Sequence, residues 1–327
     1  MTGLSDSFQR PINYLRISVT DRCNLRCIYC MPPEGIALMS HNDILSYEEI
    51  VTLVKAAAEL GITRIRLTGG EPLVRAGLPE LVRMIAGIDT IDDLSLTTNG
   101  ILLAKYAADL KDAGLMRVNV SLDTLKPERF RQITRCGELE DTLKGIAAAN
   151  EAGLTPVKIN MVVMAGINDD EIIDFARKTI DDGWHVRFIE HMPVNGEDIN
   201  ITRLVSVAAI KKRLEPLGPL EPSRMDKGSG PAKYYRLPNA RGTVGFITPV
   251  TEHFCYQCNR LRLTADGKLR LCLLREDEID LREPLRRGAS VQELKDIIVK
   301  ATAAKPKGHL LAERNSHKGR PFSQVGG

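Results

Sequence analysis

Six strand-like runs, each followed by a helical pattern, fill residues 12 to about 190 and leave few folds open to this chain. The runs are INYLRISVT (12–20), TRIRLTGG (63–70), DLSLTTNG (93–100), RVNVSLD (117–123), TPVKINMVV (155–163) and WHVRFIEHM (184–192). Between the first two, SYEEIVTLVKAAAELG (46–61) predicts a helix capped by Ser46, with Glu49 three residues on and Gly61 at its end. LPELVRMIAG, ILLAKYAADLKDAG, the segment up to Gly153 and DDEIIDFARKTIDDG supply the other helices. Parallel strands need crossover connections, so this alternation predicts an α/β fold with a mostly parallel sheet and helices outside it. Strand order is not written in such a pattern. An open doubly wound sheet and a six-unit partial (β/α) barrel both satisfy it.

After residue 192 the pattern changes. A helix is expected over LVSVAAIKKRLEPLG (204–218), then a charged loop over EPSRMDKGSGPAK (221–233). Short strands follow at YYRLP, GTVGFITP and RLRLTADGKLRLCLL, where Asp266-Gly267 marks a hairpin turn. A last helix, VQELKDIIVKATAA, precedes a polar tail. The expected domains are 1–200 and a β-containing C-terminal extension, 201–327. A net charge of +3 does not suit a bulk nucleic-acid binder. No apolar run approaches the roughly 20 residues of a membrane span, and MTGLSDSFQRPINYLRI lacks the apolar segment of a secretory signal. The default expectation is a cytoplasmic protein.

Six of the seven cysteines form two trios. Cys23, Cys27 and Cys30 follow the first strand as C-x3-C-x2-C; Cys255, Cys258 and Cys272 form C-x2-C-x13-C. In a reducing compartment such clusters bind metal or react more often than they form disulfides. Structural zinc takes four ligands, and a complete iron–sulfur site normally takes four thiolates. A 4Fe–4S cluster held by three cysteines leaves one iron open to a small molecule. Zinc remains an alternative at the second trio, with His253 as a fourth ligand; near the first trio the nearest histidine is His41. Cys136 belongs to neither trio and reads as a buried or incidental thiol.

CNLRCIYC (23–30) resembles the signature of the radical S-adenosylmethionine (SAM) enzymes. The resemblance implies one 4Fe–4S cluster on Cys23, Cys27 and Cys30, with SAM chelating the open iron. It places Tyr29 near the adenine and the TGGEP stretch (68–72), including Gly70, at the amino-acid end of SAM. Taken alone, Gly69-Gly70 also reads as a plain strand-to-helix turn. The context of the second trio, GFITPVTEHFCYQCNRLRLTADGKLRLCLL (245–274), with LRISVTDRCNLRCIYCMP at the front and Gly326-Gly327 at the end, narrows this. Nearly the whole chain resembles the branch of the superfamily that cyclises GTP at the start of molybdenum cofactor synthesis.

That branch implies a second 4Fe–4S cluster on Cys255, Cys258 and Cys272, whose open iron meets the guanine end of GTP. It implies GTP contacts from Arg16, Arg66, Thr97, Lys158, Arg260 and Arg262, and SAM contacts from Tyr29, Gly70, Ser121 and Met192. Reductive cleavage of SAM would yield a radical that takes the 3′ hydrogen of GTP. An external flavodoxin- or ferredoxin-like electron donor and a downstream cyclic pyranopterin monophosphate synthase are implied partners; nucleic acid and membrane are not. A homodimer is left open. In the family the terminal glycines reach the active site, although FSQVGG departs from the usual tail residues.

The cations support this independently. Arg16, Arg66 and Lys158 lie mid-strand among apolar neighbours, where an unpaired charge costs several kcal/mol. Each alone reads as half of a core ion pair; together with Arg260 and Arg262 they suggest an anion site. Arg260 and Arg262 share one strand face, which otherwise reads as a solvated hairpin. Ser121 and Thr97 otherwise read as strand-end caps, Met192 as core, and the terminal glycines as a frayed end. The rivals are a radical SAM peptide-modifying enzyme with an auxiliary cluster, a zinc-dependent nucleic-acid module and a non-catalytic iron–sulfur protein.

Overall fold

The structure, a computed structural model, describes residues 3–192, 204–224, 230–309 and 320–326. The expected boundary near residue 200 and the terminal Gly327 lie outside these residues. Six strands match the six predicted runs: β1 (Tyr14–Ser18), β2 (Arg64–Thr68), β3 (Asp93–Thr98), β4 (Arg117–Ser121), β5 (Lys158–Val163) and β6 (His185–Glu190). The C-terminal part adds β7 (Glu221–Ser223), β8 (Lys233–Arg236), β9 (Thr243–Ile247), β10 (Arg260–Leu263), β11 (Lys268–Arg270) and β12 (Glu278–Asp280). All join one sheet in the order β12-β11-β10-β1-β2-β3-β4-β5-β6-β9-β8-β7.

This order decides between the two architectures that the alternation allowed. A doubly wound sheet reverses its strand order at a switch point; here β1 to β6 follow the chain without reversal. The result is a partial barrel. Later strands extend it: β10 runs parallel beside β1, and β9 parallel beside β6. Antiparallel strands β11 and β12 finish one edge, β8 and β7 the other. The sheet curls strongly enough that one cavity is lined from β1, β2, β3, β4, β5, β6, β9 and β10.

The helices are α1 (Tyr47–Glu59), α2 (Leu78–Ala86), α3 (Leu103–Asp112), α4 (Pro127–Thr134), α5 (Leu139–Glu151), α6 (Ile172–Asp181), α7 (Val207–Leu214), α8 (Arg282–Arg286), α9 (Val291–Ala303) and α10 (Phe322–Val325). The start of α1 is the expected capping box: Ser46 Oγ accepts from the Glu49 N–H at 3.2 Å, and Glu49 returns a carboxylate to the Ser46 N–H at 2.7 Å. Apolar helix faces such as Ile50, Leu53, Val54 and Ala57 pack on sheet residues such as Leu15, Ile17, Ile65 and Leu67. No helix among the described residues is long and apolar enough to cross a membrane.

Two expectations need correction. The stretch 221–233, read as a loop, contributes β7 and begins β8; Pro222 is tolerated because β7 is an edge strand. The polar tail contains α10, whose four residues are too short for a periodic signal.

Close backbone packing fixes α5 against the end of β3. A Cβ on Gly145 would overlap the Gly100 carbonyl, and Thr142 donates to the Asn99 carbonyl at 3.1 Å. Gly145→Ala should therefore destabilise the protein by about 1–3 kcal/mol, the usual cost of overpacking, read as a lower urea midpoint with an unchanged slope.

Candidate active site

The parallel strands end on the same side as the first trio. The loop after β1 carries Cys23, Cys27 and Cys30, and it is docked by the Arg26 and Ile28 N–H groups on the Thr134 and Ile133 carbonyls. Arg26 stiffens it further, donating to the carbonyls of Cys23 at 2.7 Å and Leu25 at 2.9 Å. Gly70 follows β2 at a point where no side chain fits. A Cβ there would overlap the Arg22 carbonyl, while the Gly70 N–H donates to Thr20 at 2.8 Å. These glycines bring the β2 turn against the cysteine loop, which a plain turn does not require.

Two carboxylates that sequence reasoning did not assign organise this end. Glu71 is 1% exposed and accepts from the Thr98 hydroxyl at 2.7 Å, the Asn99 N–H at 2.7 Å and the Leu73 N–H at 3.0 Å. Burial pushes its carboxyl up to about 7 against these bonds. Asn99 then donates to the Asn24 side chain at 2.8 Å, tying β3 to the cysteine loop. Asp123 accepts from Tyr29 at 2.7 Å and from the Val162 N–H at 2.8 Å, and burial raises it to about 6. The available signal was a carboxylate directly after an apolar strand, present in both TGGE and VSLD.

Cys23, Cys27, Tyr29, Cys30, Gly70, Ser121 and Met192 all line the same cavity, of about 330 Å³. Cys255, Cys258 and Cys272 line it too, as do Arg16, Arg66, Thr97, Arg260 and Arg262. Lys158 is the exception: it is 2% exposed and not on the lining, with its ammonium 5.8 Å from the Tyr234 ring centre.

Register explains the crowding of cations. Arg16 pairs with Arg262 on one side and Arg66 on the other, so three guanidiniums stand abreast on β10, β1 and β2. Burial, then the charges of Arg262, Arg66 and Arg260, hold Arg16 well below the usual arginine range. Burial brings Arg66 and Arg262 down to about 10. Burial, then Arg187, Arg117 and Arg66, bring Lys158 down to about 6. Arg117 is paired with Asp93.

Arg187 was missed, though it sits mid-strand in HVRFIE like the other predicted cations. It lines the cavity at 4% exposure, and among the described residues its Nε and Nη2 have no hydrogen-bond partner. Asn160 Oδ1, on the neighbouring strand at the same register, is likewise buried without a donor. Such atoms are stabilised by a polar ligand.

The two trios fit cubane-type clusters. All six cysteines are free thiols, partly exposed to the cavity, and members of each trio feel one another electrostatically. Their surroundings differ. Burial pushes Cys23 up to about 11 and Cys30 to about 12. Burial also raises Cys258, but Lys305, Arg260 and Arg10 together bring it down to about 7. Cys136 is exposed, its thiol donating to the Asn24 carbonyl at 3.4 Å.

The tail enters the cavity. Phe322 and Ser323 line it, and Arg262 donates to the carbonyls of Val325 and Gly326. Gly326 has φ +69°, and a Cβ there would lie 2.5 Å from Thr68 Cγ2, so only glycine suits. Arg320 anchors the tail, donating to both oxygens of Asp266 at 3.0 and 2.9 Å and to Glu278 at 2.9 Å.

Residues 17–179 match the Radical SAM superfamily and residues 184–311 match Molybdenum Cofactor Synthesis C. The GTP 3′,8-cyclase of Pelotomaculum thermopropionicum is 54% identical over 326 residues, covering 99% of this chain and 100% of that protein. The GTP 3′,8-cyclase of Moorella thermoacetica is 54% identical over 324 residues, covering 99% and 100%. Among solved structures, Streptococcus suis SuiB bound to precursor peptide SuiA superposes with a TM-score of 0.61 at 14% identity, over 96% of this chain and 76% of that one. At that identity the likeness concerns the fold.

The Arg320 anchor is testable on its own. Arg320→Ala should speed amide exchange across 322–326 about tenfold or more, the scale of losing a charged hydrogen-bond pair. Hydrogen–deuterium exchange read by mass spectrometry measures this, and Arg320→Lys should restore part of the protection.

Proposed function

The chain belongs to the radical SAM superfamily and, within it, to the GTP 3′,8-cyclases, and from that membership we propose how its side chains divide the work. The enzyme is a lyase that joins C3′ of the GTP ribose to C8 of guanine. Its product is (8S)-3′,8-cyclo-7,8-dihydroguanosine 5′-triphosphate, the first step of molybdenum cofactor synthesis. It uses two 4Fe–4S clusters and SAM.

In our reading Cys23, Cys27 and Cys30 hold the first cluster, and Cys255, Cys258 and Cys272 the second. The observation that carries it is that both trios line one cavity, with buried guanidiniums on the same walls. Bound there, the first cluster supplies one electron for reductive cleavage of SAM, the source of the radical that takes the 3′ hydrogen of GTP. Tyr29, Gly70, Ser121 and Met192 line the SAM end; Asp123 fixes the Tyr29 hydroxyl, and Glu71 fixes the turn. Arg16, Arg66, Arg260 and Arg262 meet GTP, and to them we add Arg187, with its unsatisfied nitrogens. Thr97 lies on the wall, and Lys158 supports the phosphates from behind Arg187 and Arg66. The protein's work is positional: it fixes the adenosyl C5′ against the ribose C3′ and excludes other hydrogen donors. Gly326, whose carbonyl accepts from Arg262, ties the tail to these cations.

Residues 1–200 would carry the SAM end and 201–327 the guanine end. A flavodoxin- or ferredoxin-like protein supplies electrons, and the product passes to cyclic pyranopterin monophosphate synthase. The free thiols and the use of GTP and SAM support a cytoplasmic setting.

The deciding experiment mixes anaerobically purified, reduced protein with SAM and GTP. GTP-dependent 5′-deoxyadenosine is expected, from protein carrying about eight irons and eight sulfides. Turnover with ATP or a peptide but not GTP would refute the assignment. The electrostatics add a second expectation. At pH 7.5 Lys158, held near 6, is mostly neutral, and an adjacent triphosphate favours its charged form. GTP binding should therefore take up about one proton, seen as a buffer-dependent enthalpy in calorimetry. Lys158→Met should abolish that dependence.

A further inference from the structure

Lys305, two residues beyond α9, is 3% exposed. Its ammonium donates to the Arg260 carbonyl at 2.8 Å and to the Leu271 carbonyl, immediately before Cys272. A buried ammonium is normally matched by a carboxylate. Among the described residues, Lys305 forms no ion pair with one, and the nearest acidic groups acting on it are the thiols of Cys258 and Cys272. Its neighbour Arg10 differs: it donates to the Cys255 carbonyl at 2.6 Å, but Asp6 already balances its charge at 2.6 Å. The backbone beside all three cysteines is thus clamped by buried cations, one of which has no carboxylate partner among the described residues.

We propose that Lys305 is a positioning residue for the second cluster, whose ammonium balances the negative charge of three cysteinates and favours the cluster's reduced form. The proposal rests on the two-cluster reading above. A cluster held by three thiolates is an anion, and reduction makes it more negative. A fixed cation in a dry site stabilises the reduced state more than the oxidised one, which raises the potential. The two hydrogen bonds also join the strand after Cys258 to the residue before Cys272, so the same group sets their spacing. Among the described residues the first trio has no comparable buried lysine: Arg26 and Arg135, which donate to backbone carbonyls of its loop, are half-buried and exposed.

The test is a redox titration of the holoenzyme followed by electron paramagnetic resonance. The second cluster's signal is assigned by its absence from Cys258→Ala. In Lys305→Met its midpoint should move to more negative potential while that of the first cluster stays. Lys305→Gln keeps a donor without charge and should move the same way, so it carries the test if the methionine variant does not fold. Lys305→Arg should titrate near wild type. Loss of second-site iron in the two neutral variants, with retention in the arginine variant, also supports charge balance. A wild-type midpoint in both neutral variants overturns the proposal, as does an arginine variant that behaves like them. Wild-type protein with only about four irons, or with zinc, would instead undo the two-cluster reading before any variant is compared.

Discussion

The crowd of like charges inside a curled sheet is the constraint that shapes this molecule. Arg262, Arg16 and Arg66 stand abreast because β10, β1 and β2 pair in register, about 4.8 Å apart. Each buried ion costs several kcal/mol unless an anion meets it. The protein meets part of this cost itself: Asp93 pairs with Arg117, and the carbonyls of Val325 and Gly326 accept from Arg262. Arg187 keeps unsatisfied nitrogens. In the assignment we propose, a polyanionic substrate would complete the set, and the cost of the unmatched cations would be recovered when GTP binds.

The two metal ends are electrostatically unlike. The first lies beside buried carboxylates, Glu71 and Asp123, which hold a turn and a phenol in place. The second lies beside Lys305, Arg10 and Arg260, and Cys258 is brought down to about 7. In the assignment we propose, the first end takes the amino-acid and adenosine parts of SAM. In the same assignment the second end, where cations bring Cys258 down while burial raises Cys272, takes the guanine.

Much of this was legible before the fold was known, because local chemistry dictated it. Strands such as YLRIS and IRLT announce themselves by buried runs, and their arginines by being out of place among leucines and isoleucines. Both cysteine trios speak through spacing. What was hidden depended on pairing between distant segments. Nothing near Arg262 says that β10 will lie beside β1, or that Arg320 will find Asp266. Glu71 and Asp123 went unassigned because their partners, Asn99 and Tyr29, come from other segments of the chain. Arg187 was legible and overlooked. Lys158 was legible as a buried cation, but not as one set back from the wall.

The pairing of β1 with β10 also bears on synthesis. Among the described strands β1 is made first, and its outer edge stays open until Arg260–Leu263 has been made. Through most of translation the nascent chain presents an unprotected parallel edge, a surface prone to wrong pairing. The half-built barrel must be kept from its neighbours until its last quarter arrives.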